Sequence, residues 1–296
     1  MTADLGARRA SICPEPPFNA LFNIRMPFIY PTSQLSLERK TPVVSTANVG
    51  QLAVDLIIAS LSLQRVAILE SGYCVPVVGA REDGQKGITT ALELYGHPGV
   101  DFVVIQQRSP VLKVGAYSLV CLDARSALRL QSRKEEFIKA LLNFIKDSKF
   151  GAVLFLSGVD LSNRTDSQMT TPTYQIRPEN SPTLAGTALQ RLSSLPIPKY
   201  TSPVSQEAQP AESSSSTPFI PGGGITRRIL SSLPSEWSVP TASILQFVLE
   251  GDNRADAGLL ASVVVKILGK EVPQWRQPGS WRDGLFGTPH DQTLFG

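Results

Sequence analysis

The sequence predicts a layered α/β domain, and three observations carry that expectation. Buried-strand runs such as RVAILE (65–70), DFVVIQQR (101–108) and AVLFLS (152–157) alternate with segments of helical period. Apolar residues make up 42% of the 296 residues and charged residues 18%, enough apolar material to bury a core. Gly, Pro and Asn separate the runs at short intervals, as turns do. Length alone suits one large α/β domain or two small ones. We expect a single domain over 41–296, preceded by an N-terminal extension over 1–40 that is partly flexible.

The elements follow in order. TPVVSTANVGQLAVDLIIASLSLQRVAILE (41–70) opens on a β-branched run and continues as a helix with Leu52, Leu56, Ala59 and Leu63 along one face. Asn48 is placed to cap that helix. RVAILE then makes strand, helix, strand, the pattern of a largely parallel sheet. ALELYG (91–96) and DFVVIQQR are two further strands, separated by the turn residues of HPGV (97–100). In QSRKEEFIKALLNFIKDSKFGAVLFLSG (131–158), Ser132 and Glu135 form a capping box, and Phe137, Leu141, Phe144 and Ile145 supply an apolar stripe.

From about Ser162 the composition turns to Ser, Thr, Pro and Asn. TSPVSQEAQPAESSSSTP (201–218) has Val204 as its only large apolar residue and cannot repay its ordering entropy by burial. The expectation is a disordered Ser/Pro-rich insertion over about 178–217. Order resumes at FIPGGGITRRIL (219–230), followed by helices expected at about 241–250 and 254–269 and a tail rich in Trp, Pro and Gly.

Charge and composition exclude several function classes. The net charge of +3 arises from 28 basic and 25 acidic residues with no dense basic cluster, so a nucleic-acid partner is not expected. Cys13, Cys74 and Cys121 are dispersed and odd in number, and His97 and His290 are the only histidines. That set suits reduced thiols and predicts neither a disulfide framework nor a metal site. No secretory signal is apparent, and no run reaches the ~18 apolar residues of a membrane span. We expect an intracellular protein without a membrane partner.

Two motifs invite chemistry. PGGGITRRIL (221–230) reads as a glycine loop before a helix, a place where backbone amides hold phosphate. It lacks the lysine of G-x-x-x-x-G-K-[ST] and the spacing of G-x-G-x-x-G. The simpler reading is a bend with positive φ at Pro221–Gly224, with Thr226 capping the helix. LEGDN (249–253) suggests a carboxylate cluster of Glu250, Asp252 and Asp256 for a metal or a shared proton. The simpler reading is a corner in which Gly251 ends one helix and Asp252 or Asn253 caps the next. No G-x-S-x-G elbow is present, so no catalytic residue is assigned.

Five blocks, NVGQLAVDLII (48–58), VPVVG (75–79), PGGGITRRIL (221–230), FVLEGDNRADAGLL (247–260) and SWRDGLFG (280–287), occur together and in this order. In them the chain resembles the proteasome assembly chaperone 2 family. The resemblance implies a three-layer α/β sandwich similar to purine nucleoside phosphorylases, without catalytic residues, cofactor or metal. It implies a cytoplasmic and nuclear chaperone that heterodimerises with chaperone 1 and binds the proteasome α subunits. In that role it would promote 20S core particle assembly and block off-pathway α-ring association.

It also makes Asn48, Gly50, Gln51, Gly222, Gly223, Gly224, Glu250, Gly251, Asp252, Asn253 and Trp281 structural residues of the family motifs. The C-terminal Leu294-Phe295-Gly296 corresponds to a docking tail of hydrophobic residue, tyrosine and any residue. Here phenylalanine keeps the ring and loses the hydroxyl. The competing reading is a nucleoside phosphorylase or hydrolase on the same fold, with Gly222–Gly224 on phosphate and Glu250 or Asp252 on ribose.

Overall fold

A computed structural model describes residues 27–46, 48–82, 84–112, 133–203 and 217–282. Its strands are β1 (Ile29–Pro31), β2 (Thr41–Ser45), β3 (Gln64–Leu69), β4 (Gly79–Ala80), β5 (Ile88–Thr89), β6 (Leu92–Gly96), β7 (Phe102–Gln107), β8 (Val153–Asp160), β9 (Thr173–Ile176) and β10 (Thr241–Val248). The helices are α1 (Asn48–Ser60), α2 (Arg133–Asp147), α3 (Gly224–Ser231) and α4 (Arg254–Ile267).

Eight strands form one sheet in the order β1-β3-β6-β7-β2-β8-β10-β9, and β4 pairs with β5 in a separate hairpin. The centre, β7-β2-β8-β10, is parallel, in registers such as Val43 opposite Leu154 and Ile244 opposite Leu156. Both flanks are antiparallel. The largely parallel sheet expected from the β2-α1-β3 alternation is therefore mixed. The cause is local: the turn between β6 and β7 is too short for a crossover, so these strands pair as a hairpin between β3 and β2. Pro42, inside β2, is tolerated because the β2-β8 ladder begins only at Val43.

Period-two alternation divides the sheet between two cores. Val43, Val104, Leu154, Leu156 and Ile244 face α1 and α4, whereas Val44, Val103, Val153, Phe155 and Leu245 face α2 and α3. The molecule is thus a three-layer α/β sandwich. Phe137, Leu141, Phe144 and Ile145 are all buried, as the stripe on α2 requires. Ser132, the other half of the expected capping box, lies outside the described residues. On the opposite face α1 packs along α4, where Ala53, Ala257 and Ala261 are fully buried among larger aliphatics.

Two expectations need correction. Residues 241–248 form β10 rather than a helix, and seven of the eight are buried. A short apolar run carries no period by which buried helix and buried strand can be told apart. The Ser/Pro-rich stretch is packed through residue 203: Leu184, Leu189 and Leu192 enter the α1/α4 core, and Tyr200 meets Tyr174 edge to face. Few but well-spaced apolar side chains anchor it, and hydrogen bonds from Gln175 N to Pro198 O (2.9 Å) and from Tyr200 N to Gln175 O (2.8 Å) cover the outer edge of β9. Residues 204–216 lie outside the described residues. At the other end, residues 27–40 contribute β1, which closes the edge at β3.

Candidate functional site

Because β2, β8 and β10 are parallel neighbours, the loops that follow them leave the sheet at one edge, where α/β folds commonly carry their sites. Most of the motif residues sit there. After β2, Thr46 donates from its backbone N (3.1 Å) and from Oγ1 (2.7 Å) to Leu156 O, tying the start of α1 to β8. Asn48 is the exposed first residue of α1, Gly50 is buried and Gln51 is half-buried. A Cβ on Gly50 would lie 3.2 Å from Leu156 O, so the helix approaches the strand at its backbone.

The glycine turn lies beside the end of β8. Asp160 N donates to Pro221 O (3.0 Å), and Gly223 N donates to Ile220 O (3.0 Å). Gly222 has φ 75, and a Cβ on Gly223 would overlap Ile220 Cγ2, so both positions demand glycine. Gly224 opens α3 and faces open space. Thr226 does not cap the helix as expected. It is buried inside α3, where its hydroxyl meets that of Thr46 and joins the loop after β2 to the helix after the glycine turn.

The LEGDN corner links a strand to a helix, not two helices. Gly251, at φ 137, turns the chain after β10. Leu249 and Glu250 are exposed, and Asn253 occupies the N-cap position of α4 without a side-chain bond. Asp252 supplies that bond instead, Oδ1 accepting from Arg254 N at 3.1 Å while both its oxygens pair with the Arg254 guanidinium. Those bonds hold the Asp252 carboxyl below the usual carboxylate range, whereas burial pushes Asp256 above it. Among the described residues no cluster of three or more His, Cys, Asp or Glu is arranged to hold a metal.

Other singled-out residues lie elsewhere. Trp281 is 4% exposed and fills the α1/α4 core. His97 stands in the β6-β7 turn, at the opposite edge of the sheet, with Nδ1 accepting from Gly99 N at 3.0 Å. Cys74 is buried and its thiol is pushed up to about 12 by burial, so it is unreactive. Cys13, Cys121, His290 and the Leu294-Phe295-Gly296 tail lie outside the described residues.

Sequence reasoning missed a buried ionic network beneath α1. Glu93 Oε1 accepts from Arg65 Nη1 at 2.7 Å, and Oε2 accepts from the Tyr95 hydroxyl at 2.7 Å. Arg108 Nη2 donates to that same hydroxyl at 3.2 Å, and Nη1 stands 3.9 Å from Asp55 Oδ1, which accepts from Gln106 Nε2. Burial pushes Asp55 up to about 7, against the nearby Arg108 charge, and lifts Tyr95 to about 12. The signal was present in the strand runs themselves: the glutamate within ALELYG and the Gln-Gln-Arg ending DFVVIQQR are charged and polar residues where a buried strand should have none.

The fold and this edge define a class, a three-layer α/β sandwich whose motif residues shape turns and helix starts. The chain belongs to the PAC2 family, whose model matches residues 41–274. It is 30% identical over 277 residues to Proteasome assembly chaperone 2 of Xenopus tropicalis, covering 86% of this chain and 93% of the relative. With the Homo sapiens protein of that name it shares 28% over 269 residues, at the same coverage. Among solved structures it is similar to Pyrococcus furiosus PbaA, an archaeal homolog of proteasome-assembly chaperone, with a TM-score of 0.52, 16% identity and coverage of 82% of this chain and 87% of that one. It is also similar to PbaB, an archaeal proteasome activator from the same organism, with a TM-score of 0.52, 15% identity and coverage of 82% and 89%. At such identities the two structures establish a shared fold.

Proposed function

We propose that this chain is one subunit of a heterodimeric proteasome assembly chaperone. It pairs with proteasome assembly chaperone 1, binds the α-subunit ring, promotes assembly of the 20S core particle and blocks off-pathway ring association. The observation that supports this reading is 30% identity, over 86% of the chain, to a relative named Proteasome assembly chaperone 2. The mechanism is reversible binding and steric occlusion, without bond chemistry. Two features favour it: Gly222, Gly223 and Gly251 at the sheet edge shape turns and Asp252 caps α4, and Val75, Val77, Val78 and Ile88 expose apolar surface on and beside the β4-β5 hairpin.

The Leu294-Phe295-Gly296 tail adds a second contact. Its two apolar side chains contribute on the order of 3 to 5 kcal/mol before ordering costs, so a folded interface of ordinary size supplies the remaining affinity. On this reading the protein works in the cytoplasm and nucleus.

Affinity purification of the tagged full chain from cells making new proteasomes tests this. Chaperone 1 and α subunits should co-purify; recovery of the chain without either would overturn the reading. Phosphate-dependent cleavage of a purine nucleoside by the pure protein would favour the enzyme instead.

A further inference from the structure

A groove of about 480 Å³ lies at the C-terminal end of α4, between the turn Gln190–Ser193 and the chain that runs on to Trp275. It sits at the sheet edge opposite the motif loops, beside the β6-β7 turn, to which Lys270 is tied by an ion pair with Asp101 at 2.8 Å. Its floor is apolar: Val265 is buried and Val272 half-buried. Trp275 lines it with 39% of its surface exposed, whereas the other two tryptophans, Trp237 and Trp281, are 5% and 4% exposed. An indole left open in a concave, partly apolar place is a common anchor of protein interfaces.

The cations of the groove are not consumed by the helix end. Leu268 N donates to Val264 O at 3.0 Å, Lys270 N to Val265 O at 3.0 Å and Gly269 N to Lys266 O at 3.1 Å, so backbone amides satisfy those last carbonyls. Gly269 is demanded twice, by its φ of 66 and because a Cβ there would overlap the Arg191 guanidinium, which lies against the turn. Neither Arg191 nor Lys266 makes a side-chain hydrogen bond or ion pair among the described residues.

Charge decides what the groove accepts. Arg191, Lys266 and Lys270 face two carboxylates, Glu271 and Asp101, and Asp101 is taken up by Lys270. Two unpaired cations thus stand beside one unpaired carboxylate and an exposed indole, a balance that favours an anionic partner with an apolar side chain. Arg191, Ser262, Lys266, Glu271 and Trp275 are all exposed. Such an open groove suits a chain that crosses it better than a small molecule, which an enclosing cavity would surround.

We propose that this groove docks an acidic peptide segment of a partner protein, with carboxylates on Arg191 and Lys266 and one apolar side chain against Trp275 and Val272. The surface is independent of the chaperone reading and of the motif edge. Glu271 limits the affinity, because it repels the same carboxylates that Arg191 and Lys266 attract.

Fluorescence anisotropy of a labelled, capped peptide EEDFDEE against the folded full chain tests the proposal, with EEDADEE and QQNFNQQ as controls. EEDFDEE should bind with a Kd of about 1 mM or tighter and shift the tryptophan emission to shorter wavelength as Trp275 is covered. Arg191→Gln and Lys266→Gln should each weaken binding by about two- to fivefold, and Glu271→Gln should strengthen it by about twofold, a gain that a merely structural role would not produce. Raising the salt from about 0.05 to about 0.5 M should weaken it further. The proposal is overturned if wild-type protein does not bind EEDFDEE at about 5 mM, if either control binds as tightly, or if the Arg191→Gln, Lys266→Gln double variant binds like wild type. It also fails if a single-stranded oligonucleotide competes more tightly than the peptide. Residues 283–296 carry Asp283, Phe286, Asp291 and Phe295. If their deletion tightens peptide binding by about tenfold or more, this chain's own tail is the occupant and the partner segment is rejected.

Discussion

Gly223 and Gly224 are adjacent and chemically identical, yet the fold asks different things of them. A Cβ at Gly223 would overlap Ile220 and lie 3.1 Å from Ser157 Oγ, whereas one at Gly224 meets nothing within 4 Å. Gly223→Ala should therefore cost about 1 to 3 kcal/mol, and Gly224→Ala should be neutral or gain up to about 1 kcal/mol, both read from urea denaturation. Asp55 makes a second prediction at this scale. Its carboxyl titrates at 3.8 in the unfolded reference and about 7 in the fold. The folded state holds the proton more tightly, so this group's contribution to stability is complete below about pH 4 and is lost as pH rises through about 7. Asp55→Asn should match wild type near pH 4 and exceed it near pH 8 by on the order of 2 kcal/mol, measured as the difference between their denaturation curves.

Among the elements, α2 was legible and β10 was not. Phe137, Leu141, Phe144 and Ile145 repeat at helical spacing over a segment long enough to show its period, and all are buried. Phe137→Ala should cost about 3 to 5 kcal/mol in the same assay. In β10, TASILQFV is buried on both faces because α/β layers cover a central strand from each side, so no alternation remains to be read. Its Thr, Ile, Phe and Val favour a strand, which is the cue that length and turn residues obscured. Leu245→Pro, between β8 and β9, should prevent folding, seen as loss of soluble protein and of the far-ultraviolet circular dichroism signal. The acidic corner was mistaken for a junction of helices for the same reason. A glycine with positive φ suits the end of either element.

On the scale of the whole molecule, the chain on either side of residues 204–216 is drawn together by a hydrogen bond from the Tyr200 hydroxyl to Phe219 O at 3.1 Å. Replacing 205–215 by a short Gly/Ser link should leave the melting temperature within about 3 °C of wild type, because the Tyr200–Phe219 contact already joins the flanking chain. Partner recovery should be unchanged; its loss would show that the Ser-rich stretch itself recruits partners. If the proposed function holds, deleting Leu294–Gly296 should lower affinity for α-rings and leave pairing with chaperone 1 intact, as read by pull-down against each partner separately. Unchanged ring binding would remove the tail from the mechanism.

Composition, spacing and five ordered motif blocks were sufficient to determine the α/β class, the stripe of α2, the bend at Gly222 and the family, because these depend on local conformation and residue order. The tertiary structure alone decided the strand order, the strand identity of β10, the packing of residues 178–203 and the meeting of Asp55, Glu93 and Arg108. Those outcomes depend on which distant segments become neighbours. That is set by the summed burial of two cores on either side of one sheet, a quantity that no local window contains.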